Sequence, residues 1–385
     1  MRRDSHHRGV CPEAHRDPPG ETYFLRVPDR QTVDNTALPG PLSRRQLLMT
    51  GLAALPLAVA AATTLSAQQV QAQQAAKPQT LTLVSYAVTK NAYDQIFRLF
   101  AADWKRKTGQ TVTFRGSYGG SGSQTRAVID GLNADIVNLA MAADISRIEQ
   151  AGLIRKGWEN RLPNGATPIH STVVAFVRPG NPKKINSWKD LAKPNVEVVT
   201  ANPKTSGGAR WNFVALWGSV TQAGGPESQA RQYIRDVYKN VDVLPKDARE
   251  ATDFFIKRKQ GDVLLNWETE AILAKRKGEW TTDYKTFSPN VLTAQPVAVV
   301  DKNVDRNGTR RVAEAFTRFL YTPVAQKVFV DNGFRPATAE GKAYARGKFP
   351  AVREYTIGAF GGWSAVTSKF FRDGAIWDQI FRSSR

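Results

Sequence analysis

The sequence predicts an α/β protein of two domains, each built on a mostly parallel sheet flanked by helices. Three observations carry that expectation. From residue 81 onward, short apolar runs of β character alternate with helix-length segments, the pattern of parallel βαβ units. Two β-branched runs, 172–177 and 297–300, stand where the chain would cross into a second domain and return from it. A chain of 385 residues is long enough for two domains, and its apolar and charged fractions are those of an ordinary globular protein.

The elements follow in order. Residues 81–85 read as a strand. Tyr93, Ile96, Phe97, Phe100, Ala101 and Trp104 then recur at helical spacing, and Gly109 closes that helix. A strand is expected at 112–115, a glycine loop at 115–124, and a helix from about 124 to 132. Another strand covers 136–140, and a short helix covers 144–150 and ends near Gly152. After the crossing at 172–177, the second domain would hold 196–200, helices near 211–217 and 227–238, the run 241–244, a helix near 251–259 and a strand at 263–266. The run 297–300, after Pro296, returns the chain. No short fixed period recurs, so a solenoid is not expected.

Two loops have the same unusual make-up. One is Arg-Gly-Ser-Tyr-Gly-Gly-Ser-Gly-Ser-Gln at 115–124; the other is Asn-Pro-Lys-Thr-Ser-Gly-Gly-Ala-Arg-Trp at 202–211. Pro203 marks the end of a strand. Ser206 is a good N-cap, and Gly207 and Gly208 let backbone amides approach a ligand closely. A helix N-terminus with free N–H groups is a ready anion site. Two such loops, each between a strand and a helix, suggest one anion held from two sides, outside the carboxyl ends of the strands.

These segments, with Asn-Trp-Glu-Thr-Glu-Ala at 266–271 and Gly-Gly-Trp at 361–363, resemble the periplasmic sulfate- and thiosulfate-binding proteins of ABC importers. The resemblance covers roughly residue 81 to the C-terminus. It implies the type II periplasmic-binding-protein fold, with a ligand cleft between two lobes. The first lobe would comprise 79–172 plus 296–385, its C-terminal part within reach of both lobes; the second would comprise 173–295. It implies a sulfate site made of Ala87, Ser121, Ser206, Gly207, Gly208, Ala248 and Trp267. Ser121 would donate its hydroxyl and Trp267 its indole N–H; the others would offer mainly backbone N–H groups. Ala87 stands where the family has Asp, which keeps a main-chain donor and loses the carboxylate. Gly119, Gly120, Gly122 and Arg210 would support the site. The implied function is capture of sulfate, or of thiosulfate as well, and delivery to the membrane permease subunits of an ABC transporter. No catalytic step, cofactor or metal is expected, and the protein would be a monomer.

The ligand chemistry is consistent with this. Sulfate is fully ionised at neutral pH and only accepts hydrogen bonds, so a pocket of donors satisfies it. Protonated phosphate would bury an O–H without a partner, at about 1–3 kcal/mol. Alternatives are a binder of another tetrahedral oxyanion (molybdate, tungstate or phosphate), an exported sulfate- or phosphate-ester hydrolase, and a polyanion-binding surface protein.

Composition narrows these. Net charge is +20, of which residues 1–72 hold only a small part. The basic clusters at 105–107, 257–259 and 275–277 fall at expected helix ends, where cations are favourable, and lack interleaved aromatics. Nucleic acid is therefore not expected, and the charge acts as a long-range lure for small anions. The single cysteine, Cys11, and three of the four histidines precede residue 43, leaving His170, expected at the surface or near a hinge. That shortage speaks against a His-based metal site, a thiol enzyme or a hydrolase. Glu268 and Glu270 are expected to be salt-bridged or solvated rather than catalytic. The serine at 121 is misplaced for a nucleophile elbow, and no Lys follows Gly122 as a P-loop requires.

Residues 1–42 read as a disordered extension or a start codon set too early. Residues 43–72 read as a signal peptide cleaved near Ala72: an arginine pair, a mostly apolar run and a small-residue site. The pair Arg44-Arg45 fits a twin-arginine signal or an ordinary secretory one. The mature chain would then be periplasmic and not membrane-spanning.

Overall fold

The computed structural model describes residues 77–383, so the expectations for 1–42 and 43–72, including cleavage near Ala72, lie outside the described residues. β1 (Gln79–Tyr86) leads through a 3₁₀ turn at Ala87–Thr89 into α1 (Lys90–Thr108). α1 buries Tyr93, Ile96, Phe100 and Trp104 along one face and stops at Gly109, whose φ of +71° is the left-handed conformation glycine tolerates. Its last turn carries Lys105, Arg106 and Lys107, as the charge pattern indicated. β2 (Val112–Gly119) and α2 (Ser121–Ile129) leave only Gly120 between them. The expected loop at 115–124 is thus mostly strand and helix. The cause is tertiary: β1 offers β2 a parallel partner all the way to Tyr86↔Gly119, which overrides the weak strand propensity of glycine. β3 (Ile136–Asn138) and α3 (Ala142–Gln150) follow.

The run expected to cross at 172–177 forms β5 (Val173–Val177), and a short strand, β4 (Ile169–Ser171), precedes it. Then come β6 (Val198–Val199), α4 (Gly207–Thr221), α5 (Glu227–Lys239), α6 (Ala248–Ile256), β7 (Val263–Trp267) and α7 (Glu268–Arg276). The run 241–244 forms no strand, and Val243 is exposed. β8 (Asn290–Val291), β9 (Thr293–Gln295) and β10 (Val297–Val299) bring the chain back.

The first sheet has the order β10-β3-β1-β2; β1 is parallel to β2 and β3, and β10 is antiparallel to β3. The second sheet is β5-β7-β6, with β6 parallel and β5 antiparallel to β7. In both, the antiparallel member is a crossing strand, because it arrives from the other lobe rather than through a βαβ turn. The crossings themselves pair as an antiparallel ribbon, Ile169↔Gln295 to Ser171↔Thr293. This is the α/β, two-lobed architecture of a periplasmic binding protein.

The return segment is divided between the lobes. α8 (Asp301–Asn307), α9 (Arg310–Phe319) and α10 (Pro323–Asp331) pack on the first, where Phe316 lies 4.9 Å from Phe114 and Phe329 lies 5.8 Å from Tyr93. From Glu354 onward the chain packs mainly on the second lobe, while Trp363, Ser364, Thr367 and Ser368 also face α3 of the first. Glu354 and Tyr355 pair with β8, Trp363 lies 4.6 Å from Trp211, and Phe370 lies 4.8 Å from Trp217. No helix among the described residues is long and apolar enough to cross a membrane.

Candidate anion site

Four helical N-termini converge on one small cavity between the lobes. From the first lobe come Tyr86, Ala87 and Val88, where β1 enters its 3₁₀ turn, and Gly119, Gly120 and Ser121, where β2 enters α2. From the second come Ser206, Gly207 and Gly208 at the start of α4, Asp247 and Ala248 at the start of α6, and Trp267 at the end of β7. Ala87, Ser121, Gly207, Gly208 and Ala248 occupy the first positions of their helices, where N–H groups have no acceptor within the helix. The dipoles of those helices add positive potential at the same point.

The two serines differ. Ser121 is the first residue of α2, not a loop residue, and is buried. Its hydroxyl donates to Asp144 Oδ2 at 2.6 Å and accepts the Ala140 N–H at 3.0 Å, so it is turned away from the cavity. Its main-chain N–H is left for the cavity. Ser206 caps α4, accepting the Ala209 N–H at 3.3 Å. Its own proton has no acceptor among the described residues. Nor does the indole N–H of Trp267, which lies against Gly208 and is buried beside Tyr86, ring centroids 6.1 Å apart.

The glycines serve close approach of the two lobes. A Cβ on Gly207 would lie 2.6 Å from the Ala140 side chain and 3.2 Å from that of Ser121. One on Gly120 would lie 2.6 Å from the Thr205 carbonyl. The Gly122 N–H donates to that same carbonyl at 3.1 Å, so Gly122 joins the lobes rather than lining the cavity. Arg210 also stays out of it. Its Nε donates to the Pro203 carbonyl at 2.8 Å, and its guanidinium lies over Phe371.

No cation lines the cavity, and its one acidic residue, Asp247, is occupied as the cap of α6, accepting the Glu250 N–H at 2.9 Å. Asp144 lies behind Ser121, fully buried. Burial raises its pKa, against the pull of Arg210, the Ser121 hydroxyl, Arg147 and Arg126. Among the described residues no group of three or more His, Cys, Asp or Glu could hold a metal. Glu268 is ion-paired with Arg335 at 2.6 Å, and Glu270 with Arg249 at 2.9 Å. His170 sits in β4 of the connecting ribbon.

Residues 81–335 match the family model of the bacterial extracellular solute-binding proteins. The chain is a member of that family. This solute-binding protein is 56% identical over 306 residues to a sulfate-binding protein of Synechococcus elongatus, covering 79% of its own length and 87% of that relative. It is 38% identical over 315 residues to a thiosulfate-binding protein of Pseudomonas aeruginosa, covering 80% and 94%. The solved structure of the sulfate-binding protein SubI from Mycobacterium tuberculosis is similar at a TM-score of 0.71 and 34% identity, over 76% of this chain and 100% of that one.

Sequence reasoning did not single out Asp144, Asp247, Tyr86 or Val88. Tyr86 and Val88, as hydrophobic neighbours of the site, carry little local signal. Asp247 was detectable in principle, as a capping residue before an apolar-periodic helix. Asp144 was not, since its partner Ser121 is 23 residues away in sequence.

Proposed function

We propose that this solute-binding protein captures sulfate, and thiosulfate as a second ligand, in the periplasm and delivers it to the permease subunits of an ABC importer. The observation that carries the reading is a cavity ringed by unpaired donors: the first N–H groups of four helical segments, the Ser206 hydroxyl and the Trp267 indole. A dianion that only accepts hydrogen bonds matches such a ring, and local dipoles stabilise its charge without a counter-ion. Ser206 is the hydroxyl donor and Ser121 a main-chain donor, because the Ser121 hydroxyl is engaged by Asp144. Hydrogen phosphate is disfavoured: Asp144 lies behind Ser121 rather than in the lining, Asp247 is turned to the cap of α6, and an O–H buried without an acceptor costs about 1–3 kcal/mol. The names of the relatives support the same ligand class.

Titration calorimetry on the metal-free protein tests this directly. One-to-one binding of sulfate is expected, with thiosulfate binding as well and phosphate much weaker. Preference for phosphate or molybdate over sulfate, or binding that disappears with chelator, overturns it.

A further inference from the structure

Trp211 touches no part of the anion cavity, yet it spans the two lobes. It lies on α4 in the second lobe and is fully buried. Its indole Nε1 donates to the Ala140 carbonyl at 2.7 Å, just past β3 in the first lobe. The same alanine gives its N–H to the Ser121 hydroxyl at 3.0 Å, and that hydroxyl donates to Asp144. A run of hydrogen bonds thus passes from α4, through one residue of the opposite lobe, to a residue of the cavity. Trp363 packs edge-on against the Trp211 ring at 4.6 Å and closes its other side.

We propose that Trp211 is a positioning residue that holds the lobes together over the bound anion. The inference rests on the proposed function for the identity of that anion. Apart from its N–H, the Trp211 side chain is apolar, and a buried indole N–H needs an acceptor. Here the acceptor belongs to the other lobe, so the bond exists only while the lobes are together. An interaction made in the closed state and absent from the open one favours closure and slows release, without altering how the anion first meets the protein. The Gly122 to Thr205 bond acts in the same sense, but it joins main chains.

The test is release of radiolabelled sulfate, chased with unlabelled sulfate, from the parent and from Trp211→Phe. One hydrogen bond of this kind corresponds to a change of about threefold to tenfold. Release should be faster by that factor, with the association rate unchanged. Because phenylalanine also shrinks the ring, a second variant carries benzothienylalanine at position 211, which keeps the bicyclic shape and replaces the N–H with sulfur. It should release sulfate as fast as Trp211→Phe while melting like the parent in the absence of sulfate. Parent-like release from the sulfur analogue overturns the proposal, as does a loss of affinity carried by slower association. A parent that fails to bind sulfate overturns the proposed function instead. The chase is then run with labelled thiosulfate or molybdate, and the same difference in release is expected.

Discussion

Ser121 and Ser206 illustrate how much a single hydroxyl depends on what lies behind it. From sequence the two look alike, each beside glycine in a loop between a strand and a helix. In the folded chain the Ser121 hydroxyl serves a buried carboxylate and a peptide N–H, while Ser206 keeps its proton for the cavity. Their alanine variants should therefore separate. Ser206→Ala is expected to weaken sulfate binding by about 1.5–3 kcal/mol, the worth of a hydrogen bond to a charged group. Calorimetry reads that loss, and an unchanged affinity would remove the hydroxyl from the site. Ser121→Ala strands Asp144 and the Ala140 N–H, so its first effect should be on stability, by about 1–3 kcal/mol in denaturant unfolding. Trp267→Phe is the complementary probe. It should keep the melting temperature within a few degrees, weaken sulfate by about 1.5–3 kcal/mol and diminish the sulfate-induced change in fluorescence. A variant that melts early but binds normally would make Trp267 a core residue only.

Among the elements, the start of α4 is the most constrained. Gly207 is there because no side chain fits between α4 and the first lobe: even a methyl group would meet Ala140 and Ser121. Gly207→Ala should therefore act on the closed arrangement more than on either lobe. The expected result is loss of most sulfate binding with little change in the melting temperature of the sulfate-free protein. Sulfate binding like the parent's would show that the lobes need not approach this closely to hold the anion. The helix boundaries make a related point. α2 and α4 both begin earlier than periodicity suggested, at Ser121 and Gly207, since their first turns contain glycine and serine rather than an apolar stripe. A hydrophobic period marks the buried part of a helix and is blind to a first turn that faces a ligand cavity.

For the molecule as a whole, two groups with shifted titrations, His170 and Glu270, lie outside the cavity lining. His170, in the connecting ribbon, has its pKa pushed down to about 4, chiefly by burial and also by the charge of Lys342. The native state therefore holds it neutral while the unfolded chain takes up a proton. Stability from this group is present above the ordinary pKa of about 6.5 and is lost as pH falls through 4. Glu270 runs the other way. Burial, only partly offset by Arg249, pushes it up to about 6, so its contribution is largest below its ordinary range and fades as pH rises through 6. His170→Asn should thus gain on the parent as the solution is acidified from pH 7 to 4, by up to roughly 3 kcal/mol. Thermal melts of both proteins across that range check the sign; a constant difference would mean the histidine does not titrate with folding. Sulfate affinity, in contrast, should stay nearly level from about pH 6 to 8.5, where sulfate itself remains a dianion.

By itself the sequence determined the alternating α/β order, the stripe of α1, the cap at Ser206, the two crossings and the scarcity of cysteine and histidine. These depend on neighbours a few residues apart, and local pattern records them. Folding decided the rest. Only pairing with β1 turned the first glycine loop into strand, and only the approach of the lobes gave Gly120, Gly122 and Gly207 their purpose. Asp144 reached Ser121, and Trp211 reached Ala140, across distances in sequence that no periodicity spans. A hydrogen-bond donor is written in the residue, but its acceptor is supplied by whichever part of the chain the fold brings within 3 Å or so.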